Sequence, residues 1–258
     1  MVDTTAHTTL PEVQRITRDD VTAALRSGLA DMQKAPALSL GFGAVFALIG
    51  LLLTVVLARG EAGFWLLPLA AGFPLLGPFL AVGLYEISRR IEAGEPLSLA
   101  PILTAVFRSN SGQLPLFAVL AVFFFLAWLV MARVIFAVSF GTATMTNVMT
   151  SVEVFFTVPG LLMLAVGSIV GAALATLLFS ISVVGVPMLL DRDIDFVTAM
   201  ITSVRATIEN QSAMLYWGLC VAGATVVAML PLFLGMVLVF PVLGHASWHL
   251  YRRAVAPA

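Results

Sequence analysis

The chain has 258 residues, of which 60% are hydrophobic and only 10% are charged, and its formal net charge is −1. A soluble domain carries about 25% charged residues, so this composition excludes a water-soluble protein. The near-neutral charge also excludes a basic surface for nucleic acid. We therefore expect an α-helical membrane protein. Its twelve arginines against one lysine are typical of a GC-rich genome and predict a bacterial source.

The first 36 residues are not expected to act as a secretory signal, because acidic residues are spread through them and they have no apolar core. Residues 1–16 are expected to form a flexible cytoplasmic tail. Thr17 and Asp20 have the spacing of a capping box. The apolar positions that follow, Val21 to Met32, keep helical spacing, and Pro36 ends the pattern. This segment predicts an amphipathic helix before the first membrane span.

Six apolar runs are long enough to cross a bilayer, which takes about 20 residues of helix. They are Ala37–Ala58, Phe64–Tyr85, Leu114–Ala132, a run within Val158–Leu190, Ala213–Leu230, and Leu232–Leu250, which Pro231 separates from the run before it. The fourth run is longer than a simple crossing, which predicts tilt or a kink near Pro187. The chain is therefore predicted to be all-α, a polytopic transmembrane helix bundle with six spans. Residues 17–258 form its single membrane domain.

The basic residues predict the orientation of these spans. Eleven of them lie before span one, after span six or in the connections on that same side, whereas only Arg59 and Arg133 lie on the other side. Since basic residues accumulate on the cytoplasmic side, both termini are predicted to be cytoplasmic. The predicted location is the bacterial inner membrane.

A threefold pattern runs through the chain. An amphipathic segment precedes each hairpin of two spans, and a proline recurs in the second helix of each hairpin, at Pro78, Pro187 and Pro241. We interpret this as three parallel pseudo-repeats, about 17–97, 98–193 and 194–253. Their amphipathic helices are expected in the cytoplasmic interface, or, alternatively, packed on the bundle. Residues 140–157 predict an outer amphipathic helix, with a re-entrant element as the alternative.

Two histidines are the candidate metal ligands. His245 and His249 are four residues apart and share a helical face, but a zinc or copper site needs further ligands, which the sequence does not place beside them. The alternative is that both anchor the helix at the membrane interface, together with Trp248 and Tyr251. Asp191 to Asp195 alternate like the start of a calcium loop but lack its glycine and glutamate. Helix capping by Asp193 is the preferred interpretation.

Four arginines at the cytoplasmic ends of spans are candidates for contact with lipid head groups: Arg89, Arg90, Arg252 and Arg253. Glu86 is expected to form an ion pair with Arg90 within one helix. Gly167 and Gly171 form a small-residue ridge that predicts close helix packing, either within the chain or between chains.

Four stretches combine apolar with charged residues: ALRSGLAD at 24–31, GLYEISRR at 83–90, VPMLLDRD at 186–193 and LGHASWHLYR at 243–252. They resemble the bacterial integral-membrane family catalogued as domain of unknown function 2189, and the resemblance covers nearly the whole chain from about Ile16. It implies membrane topology and little about activity. Some relatives are labelled as a cytochrome oxidase subunit. This chain, with His245 and His249 on one helix and His7 in the tail, cannot hold two haems and a copper.

No acidic or basic residue lies in the middle of a span, which argues against an ion-coupled transporter. No catalytic set and no cofactor are expected. The favoured function is therefore a non-catalytic accessory or scaffold subunit, with membrane lipids and other membrane proteins, or itself, as partners. The oxidase label of the relatives makes a respiratory complex a candidate partner. The alternative is a facilitator for a small neutral solute, lined by Ser168, Thr176, Ser180 and Ser182.

Overall fold

The computed structural model describes residues 10–59, 65–108, 113–141 and 152–257. Within these ranges the chain is helical, with short 3₁₀ segments at Phe73–Leu76 and Val152–Phe156. The α-helices in chain order are α1 (Arg18–Lys34), α2 (Pro36–Arg59), α3 (Leu66–Gly72), α4 (Gly77–Leu80), α5 (Val82–Ala93), α6 (Leu99–Arg108), α7 (Leu114–Phe140), α8 (Val158–Ser182), α9 (Gly185–Asp191), α10 (Phe196–Glu209), α11 (Gln211–Met229) and α12 (Met236–Ala254). The predicted all-α class is confirmed for the described ranges.

Five helical segments among the described residues are long and apolar enough to cross a membrane. They are Pro36–Val56, Pro68–Ala93, Leu114–Phe140, Val158–Asp191 and Gln211–Met229. Each coincides with one of the first five predicted spans. Helix α12, the sixth predicted span, is not among the five, because histidine and arginine side chains lower the hydropathy of its second half.

The N-terminal segment contacts the C-terminus before α1 begins. Thr17 and Asp20 form the expected capping box at the start of α1. Ahead of it, Val13 forms an antiparallel bridge with Val255, and the Ala256 amide donates to the Glu12 carbonyl at 3.0 Å. The backbone before Thr17 thus pairs with the C-terminus in the described part of the tail, and the flexibility of residues 1–16 stays a prediction. Residues 1–9 lie outside the description.

Helix α12 packs closely against both α1 and α2 at glycine residues, which have no side chain. A Cβ atom on Gly28 would lie 2.5 Å from the Ala246 backbone nitrogen, and one on Gly43 would lie 2.3 Å from the Val237 carbonyl oxygen. Any larger residue would force the helices apart. The apolar stripe of α1 thus faces α12, as expected from the alternative in which this helix packs on the bundle.

Prolines interrupt two of the predicted spans, and the interruption near Pro187 was predicted. The fourth span breaks between Ser182 and Gly185, because Pro187 lacks an amide proton and its ring clashes with the carbonyl four residues earlier. The second span is interrupted in the same manner around Pro74 and Pro78. Pro241, by contrast, lies inside the unbroken helix α12.

The turn predicted at Pro231 is present, since α11 ends at Met229 and α12 begins at Met236. Leu232 and Phe233 within this turn have φ values of 52° and 67°. The Phe233 ring then packs into an aromatic group with Phe46, Phe73 and Phe240, with ring centroids 4.3–5.8 Å apart. This group closes the centre where α2, the 3₁₀ segment before α4 and α12 meet.

Helices α6 and α10 keep an apolar face at the surface. Helix α6 exposes Leu99 and Leu103, and α10 exposes Val197, Ile201 and Ile208. The faces that α10 buries carry small and hydroxyl side chains instead. This arrangement is compatible with the position predicted for α6 and α10 at the membrane interface. Helix α1 differs, because its apolar stripe faces α12. Residues 142–151, which include most of the predicted outer helix, lie outside the described residues.

Candidate functional site

A histidine, His245, is buried midway along α12. Its side chain has no exposure to solvent. The Nε2 atom lies 2.8 Å from Ser39 Oγ on α2, and the Nδ1 atom lies 2.8 Å from Ser88 Oγ on α5. Because one nitrogen of a neutral imidazole donates and the other accepts, both serines are satisfied at once. One histidine thereby joins three helices.

Asp31 of α1 extends this arrangement to a fourth helix. Its side chain is 4% exposed, Oδ2 lies 2.7 Å from His249 Nε2, and Lys34 Nζ donates to Oδ1 at 3.2 Å. Burial raises the pKa of this carboxyl, but His249, Ser88 and Lys34 together outweigh burial, so the pKa lies below its ordinary value. We name the set Asp31, Ser39, Ser88, His245 and His249 the histidine cluster.

Polar contacts continue along the C-terminal half of α12. Trp248 Nε1 donates to Glu92 at 3.0 Å, and the Tyr251 hydroxyl donates to Asp191 Oδ2 at 2.6 Å. Both aromatic side chains are 1% exposed. The interpretation of Trp248 and Tyr251, with the two histidines, as interfacial anchors was therefore wrong, because all four side chains point into the bundle.

The four arginines predicted to contact lipid are held in ion pairs. Arg89 and Arg90 both contact the buried Glu86, at 2.8 and 2.6 Å, so the expected pair within α5 is present. Arg252 contacts Glu92 and Asp191 at 2.9 and 3.2 Å. Arg253 lies 3.7 Å from Asp20. Their contact with lipid stays a prediction, since these arginine side chains keep 13–39% of their surface exposed.

A small charged cavity lies among these residues, at the ends of α5 and α9. It has a volume of about 220 Å³, and α6 covers one side through Pro101 and Ala105. Three arginines and three carboxylates line it: Arg89, Arg90, Arg192, Glu86, Asp191 and Asp193. We call it the charged pocket.

A larger, apolar cavity of about 460 Å³ lies between α3, α7 and α8, and we call it the apolar groove. Gly167 and Gly171 line it. A Cβ atom on Gly171 would lie 3.1 Å from the Trp128 ring, whereas one on Gly167 would meet nothing within 4 Å. Gly171 thus packs on a neighbouring helix, and Gly167 opens into the groove. Packing of Gly167 against another chain stays a prediction.

The metal interpretation of His245 and His249 finds no added ligands. Among the residues that the structure describes, no group of three or more His, Cys, Asp or Glu side chains is placed to hold a metal ion. Metal binding stays a prediction, and it would require ring nitrogens that now contact Ser39, Ser88 and Asp31.

The helix cap after α9 differs from the prediction by two residues. Asp195, not Asp193, is the N-cap of α10, and its carboxylate accepts from the amides of Val197 and Thr198. These hydrogen bonds, the one with Thr198 first, hold the pKa of Asp195 below its ordinary value. Asp193 instead lines the charged pocket, and Asp191 contacts Tyr251. These three carboxylates are not among any group of described side chains placed to hold a metal ion.

The serine and aspartate partners in the histidine cluster were not predicted. Asp31 did carry a signal, because it continues the helical stripe of Val21, Ala24 and Gly28, and a carboxylate on an apolar face needs a buried partner. Ser39 and Ser88 carried none, since serine is common in membrane helices.

Fold and site together define a polytopic α-helical protein with a polar centre around α12. A family model described as a predicted integral membrane protein, domain of unknown function 2189, matches residues 66–191, slightly under half of the chain. The resemblance expected from about Ile16 onwards is thus confirmed for the middle of the chain. No curated protein and no solved structure matches.

A second model, the PGF-CTERM motif, matches residues 39–59, which lie within α2. It points towards archaea, so the predicted bacterial source is not established. The match covers one apolar helix and carries no argument about the rest of the chain.

Proposed function

We propose that this chain is a non-catalytic accessory or scaffold protein of the cytoplasmic membrane, which binds another membrane protein through the α7–α8 hairpin. The observation that carries the proposal is the apolar groove, because Gly167 opens into it from a helix that the rest of the chain barely covers. Small residues in membrane helices let a neighbouring helix approach closely. A recess of this kind fits a helix ridge.

The two halves of the molecule support a division of roles. The histidine cluster joins α1, α2, α5 and α12 into a unit whose buried polar groups are paired with one another. The α7–α8 hairpin, by contrast, exposes large apolar side chains along both helices, such as Phe123, Val130 and Ile169. The first unit is suited to holding the fold, and the hairpin is suited to contact within the bilayer.

The facilitator is the weaker candidate. Of the four polar residues of α8 proposed to line a path, Ser180 and Ser182 donate to carbonyl oxygens of their own helix, and only Ser168 lines the apolar groove. The aromatic group around Phe46 fills the centre where α2 and α12 meet. A neutral polar solute would find few partners there.

The proposal includes six crossings with both termini in the cytoplasm and three parallel pseudo-repeats. Support for α12 as the sixth crossing comes from its length, since 19 residues of helix span about 28 Å. Its histidines and Trp248 contact α1, α2 and α5, which shield them from lipid. The order of an amphipathic helix followed by a hairpin recurs three times in the described elements. The resemblance to the family adds a respiratory complex as a candidate partner.

The test fills the apolar groove without disturbing the chain itself. Gly167→Val places its side chain in open space, and Gly223→Val in α11 does the same elsewhere on the surface, so it is the matched control. We expect cross-linking in native membranes to trap a partner or a second copy with the parent chain and with the control, but not with Gly167→Val. Equal cross-linking of all three, or none with any, would contradict the proposal.

A further inference from the structure

The charged pocket has no net charge. Its three guanidinium groups and three carboxylates balance, so neither an anion nor a cation alone complements it. A ligand with one positive and one negative group does, because each pole then meets opposite charge. The volume of about 220 Å³ accommodates a polar head group rather than a whole lipid.

The pocket lies where lipid head groups lie. Two candidate spans, Pro68–Ala93 and Val158–Asp191, end at its walls. Helix α6, which covers it with Pro101 and Ala105, turns Leu99 and Leu103 outward, each 53% exposed. A helix with one apolar face exposed and the other against a polar cavity fits the membrane interface. The pocket is therefore reachable from the head-group layer.

From this geometry we infer that the charged pocket binds the head group of a phospholipid that carries a phosphate and a primary ammonium. The phosphate meets the arginine side, where Arg89 is 27% exposed, and guanidinium is well matched to phosphate oxygens. The ammonium meets Asp193, an exposed carboxylate at the pocket wall. This inference needs the chain to lie in a membrane, but it does not depend on the scaffold role.

The experiment counts bound lipids on the full chain by native mass spectrometry after release from detergent. The probes are phosphatidylethanolamine, phosphatidylcholine and phosphatidylglycerol, with soluble phosphoethanolamine and inorganic phosphate as head-group controls. We expect phosphatidylethanolamine to bind most tightly, because phosphatidylcholine has no N–H donor and phosphatidylglycerol has no cation. Equal binding of phosphatidylglycerol would show an anion site and overturn the inference. If inorganic phosphate bound as tightly as phosphatidylethanolamine, the ligand would be free phosphate and not a lipid head group, and the inference would be overturned.

Two variants separate the pocket from general lipid contact. Asp193→Asn should weaken phosphatidylethanolamine binding roughly three- to tenfold, the loss of one charged hydrogen bond at a partly exposed site. Asp19→Asn, an exposed acid on α1 outside the pocket, is the matched control and should have no effect. Ala105→Leu fills the pocket from α6 and should exclude the head group. Unchanged preference for phosphatidylethanolamine in Asp193→Asn would refute the inference, whatever Ala105→Leu does to folding.

Discussion

Ser39 and His245 are 206 residues apart in the chain, yet Ser39 Oγ and His245 Nε2 lie 2.8 Å apart with neither side chain exposed. This hydrogen bond joins the first turns of α2 to the middle of α12. On the opposite ring nitrogen, Ser88 makes the matching contact from α5. Because a buried donor or acceptor left unpaired is costly, the three side chains hold one mutual arrangement of their helices.

Replacing the histidine should therefore destabilise the whole bundle. His245→Ala removes one ring and leaves two buried hydroxyls without their partner, at a cost of about 2–5 kcal/mol. Ser39→Ala, which removes a single hydrogen bond, should cost less, about 1–2 kcal/mol. Thermal unfolding of the purified protein in detergent measures both. An unchanged midpoint for His245→Ala would mean that the histidine cluster does not hold the helices.

Local sequence signals were sufficient for three of the helix boundaries. The capping box at Thr17, the break before Pro187 and the turn at Pro231 each depend on residues within one helical turn of the boundary. Apolar runs likewise identified the first five membrane segments, because length and hydropathy are properties of the segment itself.

The partners of His245 could not be found in this way, because they depend on how helices pack. Ser88 is 157 residues away, and nothing in its neighbourhood distinguishes it from other serines. The prediction for Trp248 and Tyr251 was wrong for the same reason. Their amphipathic side chains fit a membrane interface and a buried polar contact equally well. The cap at Asp195 rather than Asp193 is a smaller error, of the size usual for helix ends.

Acid should remove the contribution that the ionised carboxylate of Asp31 makes to the stability of the fold. Since its pKa in the folded protein lies below the ordinary value of 3.8, its carboxylate stabilises the fold above about that pH. The contribution is lost as the pH falls through the folded-state pKa. Asp31→Asn should thus be less stable than the parent at pH 7, by roughly 1–3 kcal/mol, and the difference should narrow below pH 3.8. Unfolding of both proteins at pH 7 and pH 3 measures it.

Asp19→Asn is the control for this pH dependence, because Asp19 is an exposed acid on the same helix. It should change the stability little at either pH. A difference between Asp31→Asn and the parent that stays constant down to pH 3 would contradict the assignment of a stabilising ionised carboxylate.

The contact between α1 and α12 requires glycine at position 28. A Cβ atom there would lie 2.5 Å from the Ala246 nitrogen and 2.9 Å from the Val242 carbonyl oxygen, both of them backbone atoms. Gly28→Ala should therefore cost about 1–3 kcal/mol through overpacking. Gly41→Ala in α2, where a Cβ meets nothing within 4 Å, should be neutral or slightly stabilising because alanine favours helix. Chemical unfolding of the two variants compares them, and equal stability would show that α1 is not packed so closely.

The basic residues predict the direction in which the hairpins cross the bilayer, and thiol labelling tests this prediction. The single cysteine, Cys220, is first replaced by alanine, and one new cysteine is placed at Leu97, Pro257 or Glu61. In the predicted orientation, positions 97 and 257 lie on the side with eleven basic residues, and position 61, two residues after Arg59, lies on the side with two. An impermeant maleimide should label Glu61→Cys in intact cells, and the other two only after the membrane is opened, because translocating so many arginines is unfavourable. Labelling of Pro257→Cys from outside would instead leave α12 on one side of the membrane and reduce the crossings to five.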